Sequence, residues 1–244
     1  MREIASKIVL KLDQQEQVRE RYKRVKKGYR PALEVYREMA SSLVNSETRL
    51  LDAGCGEAGL VADLRARLVV GIDTYLRPIR KTIQIENVVE GNLSALPFAS
   101  ASVDLVTCSW VLEHLEQPGR VLAEIARVLK PGGHFLFITP NALNYLIWAR
   151  RLVPNRVSKP VVNAIYARGE DYVFPTYYRA NTRRAIEGYL PGFERRRFEY
   201  VSDPSYTAFN EALFWASALV ERVTDVVWPQ SKVHLVGLYQ KRSS

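Results

Sequence analysis

The 244-residue chain is poor in cysteine, methionine and histidine and has no long hydrophobic run. Its two cysteines, Cys55 and Cys108, exclude a disulfide-stabilised scaffold and a cysteine-based zinc cluster. The most apolar stretch, residues 212–220, is far shorter than the roughly 20 residues that cross a bilayer. Charged residues interrupt the N-terminal segment, so we expect no signal peptide and a cytoplasmic location, with peripheral contact to a membrane left open.

The net charge of +9 is distributed unevenly along the chain. Residues 1–49 carry +5 and residues 141–200 carry +6, whereas residues 50–140 carry −2 and the remainder is neutral. A nucleic-acid-binding protein would be expected to carry its positive charge on the binding domain itself. The pattern therefore predicts a mildly acidic middle between two basic flanks. The flanks would face an anionic, phosphorylated or membrane-borne partner, and a nucleic acid is the less favoured partner.

The middle of the chain alternates between predicted strands and helices. Continuous apolar runs bounded by turn residues are typical of strands buried on both faces. The predicted strands are 49–52, 68–73, 86–90, 103–108 and 134–139, followed by 193–201 and 232–240. The clearest helical pattern covers 118–129 and ends at a Pro-Gly-Gly sequence. This alternation predicts an α/β fold with a doubly wound, mostly parallel sheet and helices on both sides.

A glycine-rich loop follows the first predicted strand and is expected to open a helix. Gly54, Gly56 and Gly59 fit the nucleotide-binding pattern G-x-G-x-x-G, and Asp73 lies 19 residues after the first of them. Such glycines let a ligand approach the backbone, and the acid can accept hydrogen bonds from ribose hydroxyls. Asp52 beside the loop, together with Glu57 within it, would repel a pyrophosphate and suits the ammonium and sulfonium of S-adenosylmethionine. An NAD(P)-dependent Rossmann oxidoreductase remains the alternative.

Four stretches, in order and at familiar spacings, resemble a known family: LLDAGCGEAG (50–59), VVGID (69–73), residues 90–115 and residues 124–141. Residues 50–141 resemble the class I S-adenosylmethionine-dependent methyltransferases, in the branch that acts on small molecules, quinones and lipid-like acceptors. The resemblance implies a seven-stranded Rossmann-like sheet, S-adenosylmethionine as methyl donor and S-adenosylhomocysteine as product. It also implies no metal, because the fifth predicted strand ends without a carboxylate cluster.

The resemblance implies cofactor contacts in the loops that follow the first four strands. These are Asp52 at the methionine amino group; Gly54, Cys55, Gly56 and Gly59 along methionine and ribose; Asp73 at the ribose hydroxyls; Asn92 and Leu93 at adenine; and Ser109 and Trp110 beside the reacting methyl group. The family commonly has aspartate where Asn92 stands. Because an amide oxygen accepts without charge assistance, we expect cofactor binding weaker by about 1 kcal/mol.

The catalytic and acceptor-binding candidates are less specific. His114, next to Glu113, could act as a general base for a hydroxyl acceptor, or could simply pack the following segment. The basic segment 19–30 could be a lid that brings Tyr22 or Tyr29 to the ligands, or a solvated helix face. Aromatic and basic residues after the fifth strand are expected to build the acceptor pocket; they are Tyr178, Arg179 and Arg183, with Tyr172, Tyr177 and Arg184 nearby.

The flanks complete the predicted organisation. Residues 1–48 are a helical lid, 49–141 the S-adenosylmethionine-binding core, and 142–244 an acceptor-site insertion with C-terminal strands that complete the same sheet. Residues 145–153 suit an interfacial membrane anchor, and the amphipathic helix 208–228 suits core, a cap or a dimer surface. We expect a methyltransferase acting on a small-molecule or lipid-like acceptor, favouring oxygen; a non-catalytic domain that binds RNA, protein or membrane through the basic flanks is a further alternative.

Overall fold

The computed structural model describes residues 12–56, 59–74, 85–144, 175–208 and 210–243. Its α-helices are α1 (Leu12–Val25), α2 (Ala32–Leu43), α3 (Pro118–Val128), α4 (Arg183–Gly188) and α5 (Glu211–Val227). Short 3₁₀ turns cover Leu112–His114, Pro204–Tyr206 and Pro229–Ser231. Within these described ranges, no helix is long and apolar enough to cross a membrane.

Seven strands form one sheet in the order β3-β2-β1-β4-β5-β7-β6. They are β1 (Arg49–Ala53), β2 (Leu68–Asp73), β3 (Asn87–Glu90), β4 (Val103–Ser109), β5 (Leu129–Pro140), β6 (Phe193–Val201) and β7 (His234–Lys241). The pairs from β3 to β5 are parallel. The backbone bonds Asn141 N to Val233 O and Arg242 N to Gly192 O join opposite ends of neighbouring strands. β7 therefore runs antiparallel to both neighbours, so the seven predicted strands form one mixed sheet that is parallel from β3 to β5.

Two further details of the fold prediction have different outcomes. The glycine loop does not open a continuous helix, because residues 59–64 form turns closed by Ala62 N to Gly59 O (2.7 Å) and Leu64 N to Val61 O (3.1 Å). Gly59 has φ +43°, outside the right-handed helical region. Double winding stays a prediction, since residues 57–58 and 75–84 lie outside the described residues. So does the helical insertion, of which 145–174, including the predicted anchor 145–153 and Tyr172, lies outside them.

The described residues divide into two compact units. One comprises those of 33–140, 176–199 and 235–244, and contains most of the sheet with α2, α3 and α4. The other comprises those of 1–32, 141–175 and 200–234, and contains α1 and α5. The two predicted N-terminal helices thus fall into different units, while the predicted boundaries at 48 and 141 stay a prediction.

The sheet unit is held by apolar residues of its central strands and of α3. α3 begins with proline at its first turn and buries Val121, Leu122 and Ile125. β5 places Phe137 within 2.4 Å of where a Cβ on Gly237 of β7 would lie, and the Phe137 ring stacks on Tyr239 with centroids 5.9 Å apart. Glycine at 237 is therefore required for the close packing of these two strands.

In the helical unit, the buried side of α5 includes a charged residue. Phe214 and Ala218 of α5 pack with Tyr22 and Tyr29, but Glu221 is also fully buried. The Glu221 carboxylate accepts a 2.8 Å bond from Lys232 Nζ and a bond from the Ser202 hydroxyl. The side rich in Leu, Val and Trp is instead exposed, so of the predicted roles of this helix only a cap or a dimer surface remains for that side.

Candidate functional site

The carboxyl end of β1 carries a buried, incompletely bonded carboxylate. Asp52 is fully buried and its register partner on β4 is Thr107. Thr107 Oγ1 donates to Asp52 Oδ1 at 2.8 Å, whereas Oδ2 has no hydrogen-bond partner among the described residues. Burial raises the pKa of Asp52 to about 6, the Thr107 hydrogen bond opposes that rise, and the negative charge of Asp73 adds to it. A buried carboxylate oxygen without a partner is costly, and it fits a cationic ligand group.

The loop after β1 is shaped by its glycines. Gly54 and Gly56 have φ of +74° and +49°, which side-chain-bearing residues rarely adopt. A Cβ on Gly54 would lie 2.3 Å from Val111 Cγ2, so the loop passes directly against the segment after β4. Gly54 N donates to Ile72 O at 2.8 Å, which ties the loop to β2. Glycine at 54 is therefore required by the close packing against Val111, and the approach of a ligand to this backbone stays a prediction.

Asp73, at the end of β2, joins this loop to the next strand. Its Oδ2 accepts a hydrogen bond from Gly56 N at 3.0 Å. The carboxylates of Asp52 and Asp73 therefore lie on the two sides of one glycine turn, and their charges interact. Cys55 in the same turn is buried, and burial raises the pKa of its thiol to about 12, so it packs as a small apolar group against Ile85.

Tyr36 of α2 is a site residue that the sequence interpretation missed. Its side chain is fully buried, and its hydroxyl lacks a hydrogen-bond partner of good geometry among the described residues. Burial and the negative charge of Asp52 raise its pKa well above the ordinary value, so the hydroxyl stays protonated. The available signal was the apolar face of α2, where Val35, Met39 and Ala40 are buried around a single tyrosine.

These groups fit S-adenosylmethionine. Asp52 Oδ2 offers a buried negative charge for an ammonium, and Asp73 offers carboxylate oxygens at the strand end where ribose hydroxyls are expected. The side chains beside the glycines are thus two carboxylates, which would repel a pyrophosphate bound at the same place.

The residues assigned to adenine lie after β3. Leu93 is buried and Asn92 is exposed. Asn92 Oδ1 accepts from both Ser94 N and Ser94 Oγ, each at 2.9 Å, in a tight turn. Both lone pairs of this oxygen are engaged, so the predicted bond from the adenine amino group would have to displace one of them.

The segment after β4 forms the opposite wall. Ser109 ends β4, and Trp110 has φ +58° with its N–H donating to Ile138 O at 2.9 Å. A bulky residue in the left-handed region is strained, and its neighbours must hold it there. The two predicted methyl-side residues are therefore half-buried in a fixed turn beside Val111 and the glycine loop.

Glu113 is the centre of a buried hydrogen-bond network. Its Oε2 accepts from Thr139 Oγ1 at 3.0 Å, and Thr139 Oγ1 accepts from Asn181 Nδ2 at 2.7 Å. The backbone oxygen of Glu113 accepts from Tyr177 N (2.8 Å) and Tyr178 N (3.2 Å). Glu113 is thus placed to hold the 177–181 segment against the turn after β4, while the catalytic role assigned to it stays a prediction.

His114 lies at the solvent-facing edge of this hydrogen-bond network. Its Nε2 is 3.9 Å from Glu113 Oε1, and its side chain is 31% exposed. The ring is therefore accessible from outside while a carboxylate lies beside it, as a general base requires.

The acceptor candidates separate into two groups. Tyr178, with φ +53°, and Arg179, whose guanidinium donates to Glu116 O at 2.6 Å, lie beside the turn after β4. Arg183 is exposed on α4. Tyr22 and Tyr29 lie in the core of the helical unit with ring centroids 4.7 Å apart, and Tyr29 Oη donates to Ser202 O. Burial explains that packing fully, and acceptor contact by these two tyrosines stays a prediction.

Comparison with known proteins agrees with this geometry. Residues 51–137 match the family described as "Methyltransferase domain". The chain is 38% identical over 117 residues to a probable S-adenosylmethionine-dependent methyltransferase of Mycolicibacterium smegmatis, covering 46% of this chain and 44% of that protein. It is 36% identical over 107 residues to a ubiquinone biosynthesis O-methyltransferase of Vibrio cholerae, covering 38% and 42% respectively. The chain thus spans less than half the length of these relatives.

A solved structure extends the likeness to the fold. Geranyl diphosphate C-methyltransferase of Streptomyces coelicolor, in complex with Mg²⁺, geranyl diphosphate and S-adenosyl-L-homocysteine, matches with a TM-score of 0.54 at 16% identity. The match covers 86% of this chain and 78% of that one.

Proposed function

We propose that this protein transfers the methyl group of S-adenosylmethionine to an oxygen of a small-molecule or lipid-like acceptor, because residues 51–137 match a methyltransferase-domain family and the chain is similar to a probable S-adenosylmethionine-dependent methyltransferase. The observation that carries the proposal is the buried Asp52 carboxylate, whose Oδ2 lacks a partner among the described residues. A neutral or anionic ligand would leave that charge uncompensated, whereas an ammonium group compensates it.

We propose the following roles for the cofactor-side residues, which their positions support. Asp52 binds the ammonium, Asp73 the ribose hydroxyls, and the turn from Gly54 to Gly56 lets both approach the backbone. Tyr36, protonated and buried beside Asp52, donates a hydrogen bond to the carboxylate of the methionine portion. The sulfonium, when bound, supplies an activated methyl group, so the protein acts mainly by positioning and by excluding water.

The acceptor side is proposed at the turn after β4. The partly exposed ring of His114 takes the proton of an acceptor hydroxyl. The Glu113 backbone oxygen holds Tyr177 and Tyr178, and Arg179 is held by its bond to Glu116 O. The aromatic ring suits an apolar or aromatic body, and the guanidinium suits an acidic substituent. Oxygen is favoured as acceptor atom because an O-methyltransferase of ubiquinone biosynthesis is among the similar proteins.

Binding is tested first, by titrating the purified protein with S-adenosylhomocysteine and separately with NADH and NADPH. We expect saturable binding of S-adenosylhomocysteine alone. Binding of only a nicotinamide dinucleotide would refute the cofactor assignment.

Transfer is tested with methyl-labelled S-adenosylmethionine and a series of phenols, catechols and hydroxyquinols bearing apolar tails. We expect label in an ether that survives mild base, and a His114→Gln variant with lower kcat but unchanged S-adenosylhomocysteine affinity. His134→Gln is the matched control, because His134 lies opposite Leu105, towards the other end of β5. Equal activity of both variants would remove His114 as the base.

A further inference from the structure

Helix α5 presents an apolar face to solvent. Leu219 is 63% exposed, Val226 84% and Val227 77%. The other large apolar residues exposed on this helix are Leu213, Trp215, Val220 and Val223. Isolated exposed apolar residues are normal on proteins, but a continuous set on one helix marks a surface that binds something.

These side chains share one broad face. At 100° per residue, the seven large apolar side chains fall within an arc of about 160°. The opposite side contains the buried residues Phe214, Ser217, Ala218 and Glu221. We call the arc the outer face of α5; it is wider than the narrow stripe by which two helices pair in a coiled coil.

The acidic residues of α5 are each compensated within the helical unit. Glu221 pairs with Lys232 at 2.8 Å, and Asp225 pairs with Lys232 at 2.7 Å and with Lys26 at 2.5 Å. Glu211 pairs with Arg21 and accepts from Trp215 Nε1. The acidic side that the sequence shows is therefore neutralised and would not repel an anionic surface.

Cations and an aromatic ring lie at one edge of the outer face. Arg21 places its guanidinium 4.0 Å from the Phe214 ring centroid and 5.7 Å from that of Trp215, which is 51% exposed. Arg222, exposed, follows at the same edge, about 20° from Trp215 on the helical wheel. Tryptophan and arginine at the boundary of an apolar face are the arrangement that suits the headgroup level of a bilayer.

We propose that the outer face of α5 docks onto the surface of a bilayer containing anionic lipids. Its leucines and valines enter the boundary of the acyl region, while Trp215 lies at the headgroup level and Arg222 meets the headgroups. A second copy of the chain is the less suitable occupant, because one partner helix would cover only the middle of so wide an arc. This inference is independent of methyl transfer.

The test is co-sedimentation with vesicles of phosphatidylcholine alone and of phosphatidylcholine with phosphatidylglycerol, with no methyl donor or acceptor present. We expect binding to the anionic vesicles that weakens with salt. The double variant Leu219→Glu/Val226→Glu should bind at least about tenfold more weakly, since two apolar groups are lost from the acyl boundary. The control is Leu33→Glu, which changes an exposed leucine of α2.

A second variant separates charge from apolar insertion. Arg222→Glu should weaken binding to the anionic vesicles and leave any binding to phosphatidylcholine unchanged. The proposal is overturned if the wild type does not bind vesicles, or if the double variant binds as well as the Leu33→Glu control. A wild-type dimer in light scattering that the double variant dissociates, without vesicle binding, would assign the face to a second copy.

Discussion

The buried carboxylate of Asp52 makes a prediction in which stability and binding change in opposite directions. Asp52→Asn preserves the side-chain shape and an oxygen that can accept the Thr107 hydrogen bond. It removes a charge that has no compensating partner at Oδ2 among the described residues. The variant should therefore be more stable than the wild type without ligand, and should bind S-adenosylhomocysteine more weakly.

The magnitude follows from the pKa. Burial raises the pKa of Asp52 from 3.8 to about 6, and this difference of roughly 2 units corresponds to about 3 kcal/mol. Since the folded state binds the proton more tightly than the unfolded state, the wild type loses this stability as the pH rises from about 4 to above 6. The asparagine variant does not titrate there. Its stability advantage should be near zero below pH 4, about half complete at pH 5, and about 3 kcal/mol at pH 8.

The assay is urea unfolding at these pH values, with calorimetric titration of S-adenosylhomocysteine in parallel. Wild-type affinity should rise with pH through about 6, because the ammonium binds the ionised carboxylate. A pH-independent loss of stability in the variant would refute the reasoning, since it would mean that Asp52 has a structural partner. Asp104→Asn is the control. Burial raises the pKa of Asp104, but hydrogen bonds from Lys130 and from the Arg49 N–H outweigh it and lower this pKa below its ordinary value. This variant should therefore lose stability at neutral pH.

Three further predictions concern the same edge of the sheet. Gly54→Ala should weaken S-adenosylhomocysteine binding and destabilise the protein by about 1–3 kcal/mol, because the new Cβ would clash with Val111 and the backbone φ is +74°. Adding Val111→Ala should recover part of this stability loss, measured by thermal unfolding. Asn92→Asp should bind the cofactor equally or more tightly in calorimetry, since one oxygen can keep the Ser94 turn while the other accepts from adenine; a large loss would exclude the adenine assignment. Arg183→Ala with Arg184→Ala should raise the acceptor KM and leave cofactor affinity unchanged; an unchanged KM would place the acceptor elsewhere.

The central strands of the sheet could be predicted from the sequence because they are buried. The runs at 49–52 and 103–108 contain no alternative pattern, and each observed strand is one residue longer than the predicted one. The edge strand 193–201 has the predicted bounds although most of it is not buried. The glycine loop and Asp73 were equally predictable, since only glycines adopt the observed φ at 54 and 56 without strain. These signals are local, and each is contained in a few consecutive residues.

What could not be predicted depends on contacts between distant parts of the chain. Tyr36 is one apolar residue among several on α2, and only the fold places its hydroxyl beside Asp52. The orientation of α5 is a second case. Its pattern allowed the apolar side to face inward, but Lys232 and Ser202 provide buried partners for Glu221, and the side that carries Glu221 faces inward instead. Neither partner lies within the helix, so no helical wheel could identify the buried side.

Several unfavourable local structures of the sheet unit lie together at the carboxyl ends of β1 and β4, and this concentration is itself an argument for a site. Among the described residues of this unit, the remaining non-glycine residue with positive φ is Ala101, before β4. Asp52 carries an uncompensated buried charge, while Trp110 and Tyr178 hold backbone conformations that cost on the order of 1–3 kcal/mol each. Hydrogen bonds to Ile138 and Glu113 fix those two turns. Because a fold would not retain such costs together without compensation, their common location is best explained by a ligand whose binding requires them.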